Sequence, residues 1–201
     1  MKLGVIDYKA GNLKSVENAL RFLGADILVS SDPDRLFAAD KLIFPGVGHA
    51  KSAMNRLSET GLSEMLTSYI SKGNPLLGIC LGSQVLLESS EEGETSCLGI
   101  IKGRSKVFES AHLKVPQIGW NTVTPVSPHP IFRGIEKCAH FYFVHSYYTA
   151  PAEPANVLCT TEYGQSFASG LVKDNVCAVQ FHPERSGEAG LKMLDNFIKA
   201  G

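Results

Sequence analysis

Short β-rich runs alternate with helical patterns through roughly the first ninety residues of the chain. The runs predict strands at Lys2–Asp7, Ile27–Ser30, Lys41–Phe44 and Leu76–Ile79. Strand–helix alternation of this kind implies a mainly parallel sheet covered by helices on both faces. Such sheets bind their ligands at the carboxyl ends of the strands. We therefore look for a site where these runs end.

The second half of the chain has a different texture, with β-branched and aromatic runs separated by Pro, Gly and Ser. These runs predict strands at Lys106–Glu109, Phe141–Tyr148, Val157–Thr161 and Val176–Phe181. A last helix is expected to begin at a Ser186 cap. No repeat or linker divides the chain. We expect one domain over 1–201, an α/β fold with a mainly parallel central sheet flanked by helices and an additional β-rich segment.

Composition excludes several classes of function. A formal net charge of -1 gives no electrostatic reason to expect nucleic acid or an anionic membrane surface as a partner. No apolar run is long enough to span a bilayer. The 5 cysteines include no Cys-x-x-Cys pair, which argues against a disulfide framework and a thiolate metal site. We expect a cytoplasmic protein without metal or cofactor.

A nucleophile motif follows the fourth predicted strand. Gly78-Ile79-Cys80-Leu81-Gly82 has the G-x-nucleophile-x-G form of a strand-to-helix elbow, with cysteine in place of serine. The pattern predicts that Cys80 stands at the N-terminus of a helix running through Gln84–Leu87, where backbone N–H groups favour a thiolate. The alternative is an inert core cysteine, the commoner fate of this residue type.

A base and its orienting acid follow the last predicted strand. His182 comes directly after Val176–Phe181, and Glu184 can reach its other ring nitrogen across Pro183. On its own, a His-x-Glu sequence is more often a solvated loop. The zinc deaminase signature also contains His-x-Glu, but the chain lacks the Pro-Cys-x-x-Cys that would complete that site.

The turn Pro45-Gly46-Val47-Gly48 follows the third predicted strand and matches neither the P-loop nor the full dinucleotide fingerprint. We expect it to supply one donor of an oxyanion hole, from the N–H of Val47 or Gly48. The N–H of Leu81, next to the nucleophile, would supply the other. This pairing suits tetrahedral acyl chemistry.

Taken together, these motifs resemble the class I (triad) glutamine amidotransferases, whose Gly-x-Cys-x-Gly-x-Gln and His-Pro-Glu sequences occur here. Within that family, the chain looks like the glutaminase subunits of imidazole glycerol phosphate synthase, of histidine biosynthesis. The narrower match rests on further segments spread along the chain: Asp7-Tyr8, Gly11-Asn12-Leu13, Pro45 to His49, Gly119-Trp120-Asn121, Phe141 to Tyr147 and Gln180 to Ser186.

The resemblance implies hydrolysis of glutamine to glutamate and ammonia through a thioester on Cys80. It also implies a partner, the cyclase subunit, which forms a heterodimer with the glutaminase and uses the ammonia. By the same resemblance, one group of residues would bind glutamine: Gln84, Glu92, His145, Ser146 and Tyr147. A second group would face the cyclase: Asn12, Ser15 and Trp120.

Three other functions remain open at this point. The chain could be the glutaminase of another synthetase, such as anthranilate synthase, although Gly119-Trp120-Asn121 argues against it. It could be a free-standing cysteine hydrolase of γ-glutamyl compounds, which would need no partner for full turnover. It could also be a binding subunit that keeps the fold without catalysis, although all three triad residues are present.

Overall fold

The computed structural model describes residues 1–9, 13–108 and 113–200. In these ranges the helices are α1 (Leu13–Phe22), α2 (Pro33–Phe37), α3 (Ala50–Glu59), α4 (Leu62–Ser71), α5 (Leu81–Gln84) and α6 (Gly187–Lys199). The strands are β1 (Lys2–Ile6), β2 (Asp26–Ser30), β3 (Lys41–Gly46), β4 (Leu76–Cys80), β5 (Ser89–Ser90), β6 (Thr95–Ser96), β7 (Gly103–Val107), β8 (Gln117–Thr122), β9 (Thr124–Pro125), β10 (His140–His145), β11 (Tyr147–Pro151), β12 (Val157–Glu162), β13 (Ser166–Lys173) and β14 (Val176–Val179).

A mainly parallel sheet forms the centre of the fold. Its strands lie in the order β2-β1-β3-β4-β14, and each neighbouring pair in this run is parallel. Beyond β14 the sheet continues through antiparallel pairs with β13, β11 and β7. A separate antiparallel sheet pairs β8 with β10. The predicted α/β fold with an additional β-rich segment is confirmed.

The alternation of side chains along the central strands divides the core into two halves. On β3, Leu42 and Phe44 belong to a core shared with helices α2, α3 and α4, whereas Ile43 belongs to a core shared with α1 and α6. Successive residues of a strand point to opposite faces, so one short apolar run contributes to both halves. This packing fixes β3 and β4 between two helical layers and holds their carboxyl ends rigid.

The helix predicted through Gln84–Leu87 is wrong. Helix α5 ends at Gln84, and the next three residues, Val85 to Leu87, are buried in the core as irregular chain. Their carbonyl groups accept hydrogen bonds from the N–H groups of Leu98, Ile101 and Gly99 rather than from a continuing helix. The apolar side chains and this neighbouring segment together end the helix after one turn, so little helix dipole acts on Cys80.

Other boundaries also differ from the sequence predictions. The run Phe141–Tyr148 is not one strand, because the chain leaves the small sheet after β10 and enters the main sheet as β11. Ser186 precedes α6, but its hydroxyl does not cap that helix. Helix α2 was not predicted; Asp32 caps it by accepting hydrogen bonds from the N–H groups of Asp34 (2.9 Å) and Arg35 (3.2 Å).

In the part of the chain that the structure describes, no helix has both the length and the apolar character needed to span a membrane.

Candidate active site

Cys80 occupies the sharp turn between β4 and α5. Its backbone has φ 54° and ψ -111°, a conformation that non-glycine residues seldom adopt and that marks functional turns. The two flanking glycines, Gly78 and Gly82, allow the turn to pack closely against neighbouring backbone. A Cβ on Gly82 would overlap the carbonyl oxygen of Phe44, and one on Gly78 would lie 2.9 Å from the carbonyl oxygen of Gly82. The G-x-C-x-G spacing thus has a steric cause.

His182 and Glu184 form a buried pair beside the cysteine. The Nδ1 of His182 lies 2.8 Å from Oε1 of Glu184, and the side chains are only 5% and 4% exposed. The backbone N–H of His182 also donates to the carbonyl of Tyr142 at 2.9 Å. The Nδ1–H tautomer donates to the carboxylate, which leaves Nε2 free for proton transfer.

The electrostatics of the site favour a charged imidazole. Burial alone would lower the pKa of His182, but the negative charge of the Cys80 thiolate, a hydrogen bond with that sulfur and the contact with Glu184 outweigh burial and raise it to about 10. Nε2 makes no well-aligned hydrogen bond to any described residue. The sulfur therefore acts on the ring from close range but with poor hydrogen-bond alignment.

Ser186 holds the imidazole in place through the backbone. Its hydroxyl donates to the carbonyl of His182 at 2.6 Å and accepts the N–H of Tyr142 at 2.9 Å. A serine that was predicted to cap a helix thus ties the His182 turn to β10. The sequence reveals only that a polar residue follows the His-Pro-Glu motif, so this tie could not have been predicted.

Sequence reasoning also missed Gln180 as a site residue. Its Nε2 donates to the Cys80 sulfur at 3.7 Å, and its Oε1 accepts from Nε2 of Gln84 at 2.9 Å. The signal that could have identified it is strand periodicity. Gln180 and His182 are two residues apart in extended chain and so share one face, while Phe181 between them is fully buried in the core.

A cleft of about 300 Å³ opens over the cysteine. It brings together the predicted nucleophile, the predicted oxyanion-hole residues and the predicted glutamine-binding residues: Val47, Gly48, Cys80, Leu81, Gln84, Glu92, His145, Ser146 and Tyr147. A cleft of this size suits a small polar ligand. The first N–H groups of α5, which include that of Leu81, have no partner within the helix, as at any helix start.

Glu92 provides the acidic group of this cleft. Its Oε2 accepts the N–H of Ala50, in the first turn of α3, at 2.6 Å. Its own N–H donates to the hydroxyl of Ser90 at 3.1 Å, and its carbonyl accepts from the hydroxyl of Thr95 at 2.7 Å. One hydrogen bond therefore holds the carboxylate and two hold the backbone of Glu92 at the edge of the cleft, and the carboxylate keeps lone pairs that can accept from a cationic group.

His145 is a neutral member of the cleft. Burial lowers its pKa to about 4, with a further lowering from the nearby charge of His182, although the Tyr147 hydrogen bond opposes this change. Its Nδ1 donates to the carbonyl of Tyr147 at 2.7 Å, and its Nε2 lies 2.9 Å from Oε1 of Gln117. A neutral ring with its proton on Nδ1 can only accept at Nε2, so we assign the Gln117 amide with its NH₂ group towards this nitrogen. Both ring nitrogens are used within the protein, which leaves ligand contacts to the backbone and to Ser146 and Tyr147.

A family model of the class I glutamine amidotransferases matches residues 4–200 of this chain. The chain belongs to the class I glutamine amidotransferases. It is 48% identical over 202 residues to imidazole glycerol phosphate synthase subunit HisH 1 of Methanococcus maripaludis, and the match covers 98% of each chain. It is 47% identical to subunit HisH of Desulfovibrio desulfuricans, over 98% of this chain and 94% of that one. The resemblance seen in the sequence is confirmed.

Solved structures agree on the fold of this glutamine amidotransferase. The structure of PurLQS from Thermotoga maritima superposes with a TM-score of 0.78 over 98% of this chain and 97% of that one. Another, described as a glutamine amidotransferase, superposes with a TM-score of 0.76 over 97% and 98%. The sequence identities are only 18% and 19%, so these two similarities show the fold alone.

The predicted partner-facing residues of the amidotransferase lie outside the cleft. Trp120 is 57% exposed on β8, and its ring packs edge-on against Tyr142, with centroids 6.2 Å apart. Ser15 is half-buried on α1 and lines a recess that also contains Glu184. Asn12 lies outside the described residues. The structure thus connects one predicted partner-facing position, Ser15, to the catalytic candidate Glu184 through a shared recess.

Proposed function

We propose that the chain is the glutaminase subunit of imidazole glycerol phosphate synthase, in histidine biosynthesis. It hydrolyses glutamine to glutamate and ammonia and passes the ammonia to a cyclase subunit. The observation that carries the proposal is the buried His182–Glu184 pair beside Cys80, at the base of a cleft with one fixed carboxylate. The relatives named HisH, which match nearly the whole chain, support the narrower assignment.

Glutamine binding is the first step of the proposed reaction. Glu92 takes the α-ammonium group through its remaining carboxylate valence, while Gln84 and the 145–147 segment hold the rest of the substrate. The γ-carboxamide then lies over Cys80. A role as a merely solvated surface charge is less favoured for Glu92, because one hydrogen bond fixes its carboxylate and two fix its backbone.

Acylation follows. The Cys80 thiolate attacks the γ-carbonyl carbon, and the N–H of Leu81 with that of Val47 or Gly48 stabilises the oxyanion. When the tetrahedral intermediate collapses, the C–N bond breaks. The imidazolium of His182 gives its proton to the leaving nitrogen, which departs as ammonia. A pKa of about 10 keeps this proton on His182 at neutral pH until the leaving group needs it.

Deacylation uses the same base in reverse. Neutral His182 takes a proton from water, and the resulting hydroxide attacks the thioester carbon. Collapse of the second tetrahedral intermediate breaks the C–S bond and regenerates the thiolate, while His182 is left as imidazolium. The product leaves with a protonated γ-carboxyl group, which gives its proton to solvent and becomes glutamate. Glu184 keeps Nδ1–H in place throughout and stabilises the charged ring. All atoms balance without a metal ion or cofactor, so we propose none.

We propose that the face carrying Trp120 binds the cyclase. Ile118, two residues away on the same strand, is 59% exposed, so β8 presents two large apolar side chains to solvent. Exposed apolar groups of this kind mark protein contacts. Trp120→Ala should weaken assembly with the cyclase at least tenfold, whereas Val126→Ala, which truncates an equally exposed 57% side chain, should not. If Trp120→Ala and the wild type bind the cyclase with equal dissociation constants, Trp120 does not lie in the interface.

We also propose a cytoplasmic location, since the five cysteines at 80, 97, 138, 159 and 177 are free thiols and fit a reducing compartment. A cyclase co-purifying from the cytoplasmic fraction of the source cells would support this location. Recovery of the chain only from an oxidising compartment would contradict it.

The experiment that tests the proposed function separates ammonia production from ammonia use. The complex with Cys80→Ala should lose glutamine-dependent synthesis of imidazole glycerol phosphate, because the thioester cannot form. It should keep synthesis from ammonium salt at elevated pH, because the cyclase has its own site. Cys138→Ala, at an exposed cysteine outside the cleft, is the matched control and should keep both activities. Retained glutamine-dependent turnover in Cys80→Ala would overturn the nucleophile assignment.

A further inference from the structure

Two buried polar side chains meet the Cys80 sulfur, and the proposed mechanism uses only one of them. His182 is the proton carrier. Gln180 is fully buried, and its Nε2 donates to the same sulfur at 3.7 Å. Burial of a glutamine amide is costly unless its groups are satisfied, so a contact with a sulfur atom requires an explanation.

The orientation of the Gln180 amide follows from a backbone carbonyl. Nε2 of Gln84 donates to the carbonyl of Tyr147 at 2.9 Å, and a carbonyl can only accept. The same Nε2 lies 2.9 Å from the Gln180 side chain, so Gln180 must present its Oε1 to it. The NH₂ group of Gln180 therefore faces Cys80. Neither amide can be turned without breaking this chain of bonds.

A thiol and a thiolate differ in what they gain from this donor. A neutral sulfur is a weak acceptor, whereas an ionised acceptor roughly doubles the strength of a hydrogen bond. A neutral amide stabilises the anion without adding a second positive charge beside His182. The register of the sheet makes the contact possible, because Val179 pairs with Ile79 and Gln180 is thus level with Cys80.

We propose that Gln180 is a positioning residue that holds the Cys80 thiolate beneath the glutamine cleft, and that Gln84 locks its amide in the donating orientation. The proposal rests on the proposed function, in which Cys80 is the nucleophile. Gln84 lines the cleft and also bonds the carbonyl of Tyr147, so the chain Tyr147–Gln84–Gln180 connects the glutamine-binding segment with the sulfur.

The test replaces the donor while retaining the shape of the side chain. Gln180→Met removes the amide, and Gln180→Glu substitutes an acceptor with a negative charge. In the assembled complex, the rate of Cys80 alkylation by iodoacetamide is measured against pH by mass spectrometry of the Cys80 peptide. Glutaminase kcat and KM are measured on the same samples, and thermal unfolding checks the fold. Gln165→Met, at an exposed hairpin position, is the matched control.

We expect the pH of half-maximal alkylation to rise by about one unit in Gln180→Met, and further in Gln180→Glu because of charge repulsion. The kcat should fall about tenfold with KM changed less than about twofold, since a hydrogen bond to an ionised group is lost. Gln165→Met should match the wild type. An unchanged alkylation profile in both Gln180 variants would overturn the proposal, including the case in which kcat falls, because that result indicates a structural role alone.

A failure of the proposed function gives a different result. If Cys80→Ala retains glutaminase activity, Cys80 is not the nucleophile, whatever the alkylation profiles of the Gln180 variants show. If Gln180→Met does not fold, Gln180→Glu, which has the same number of non-hydrogen side-chain atoms as glutamine, still tests the shift in alkylation.

Discussion

Replacement of Glu184 by glutamine removes one charge and almost no volume. In the wild type, Oε1 accepts the Nδ1–H of His182 at 2.8 Å, and Oε2 is buried without a hydrogen-bond partner among the described residues. A glutamine can place its carbonyl oxygen against Nδ1–H and so keep the productive tautomer. Its NH₂ group then occupies the position of Oε2, where no described residue can accept a hydrogen bond from it.

The expected loss follows from the change of bond type. A hydrogen bond to a charged group contributes about 1.5–3 kcal/mol, and a neutral one about 1 kcal/mol. The variant therefore loses about 0.5–2 kcal/mol of stabilisation of the imidazolium at the moment that His182 acts. At about 1.4 kcal/mol per tenfold in rate, kcat should fall roughly 2- to 30-fold. Cys80→Ala and His182→Ala should lose far more, because the nucleophile or the proton carrier is gone.

The assay is steady-state glutamate release by the complex with the cyclase, with assembly and unfolding checked for each variant. Glu162→Gln, at an exposed position on β12, is the matched control for the loss of one carboxylate and should keep wild-type kcat. A Glu184→Gln enzyme as inactive as Cys80→Ala, although folded and assembled, would show that the carboxylate does more than orient and stabilise the imidazole. Wild-type activity would show that it does neither.

Two further predictions concern the buried groups beside Cys80. In Cys80→Ala the pKa of His182, measured by NMR of the imidazole nitrogens, should fall well below about 10, because burial then acts without the thiolate charge. An unchanged His182 pKa in Cys80→Ala would exclude the sulfur as the cause of the raised pKa. Since the folded pKa of His182 lies above the ordinary 6.5, charged His182 stabilises the wild type fully below pH 6.5, and this contribution is lost as the pH rises towards about 10. Tyr8→Phe should raise the free energy of unfolding by about 1 kcal/mol in urea titrations, because the buried Tyr8 hydroxyl has no hydrogen-bond partner among the described residues. Burial and the Cys80 charge raise the pKa of this hydroxyl, so it stays neutral. A less stable variant would mean that the hydroxyl has a partner after all.

The fold and the arrangement of the elbow were readily predicted because they depend on local pattern. Short β-rich runs predicted β1 to β4, and the glycines around Cys80 predicted the sharp turn that their lack of Cβ permits. Each of these signals lies within a few residues of the feature that it predicts. Local signals of this kind survive in the tertiary structure when packing agrees with them.

The features that were missed depend on contacts between distant segments. Helix α5 is short because the carbonyl groups of Val85 to Leu87 bond a segment more than ten residues away in the chain. The predicted strand Phe141–Tyr148 is interrupted at Ser146 because its two halves pair with different strands, β10 with β8 and β11 with β7. The Ser186 hydroxyl bonds Tyr142 and His182 for a similar reason. No periodicity or cap signal in the sequence specifies these partners.

The order of three strands explains why so few local features suffice to assemble the site. In the sheet, β4 lies between β3 and β14, and all three run parallel. Gly46 pairs with Cys80, so the predicted oxyanion residues Val47 and Gly48 begin level with the end of β4 on one side. On the other side the chain leaves β14 towards Gln180 and His182. The proposed nucleophile on the middle strand therefore has the proposed oxyanion donors on one flank and the proposed base on the other, because neighbouring parallel strands end at the same edge of the sheet.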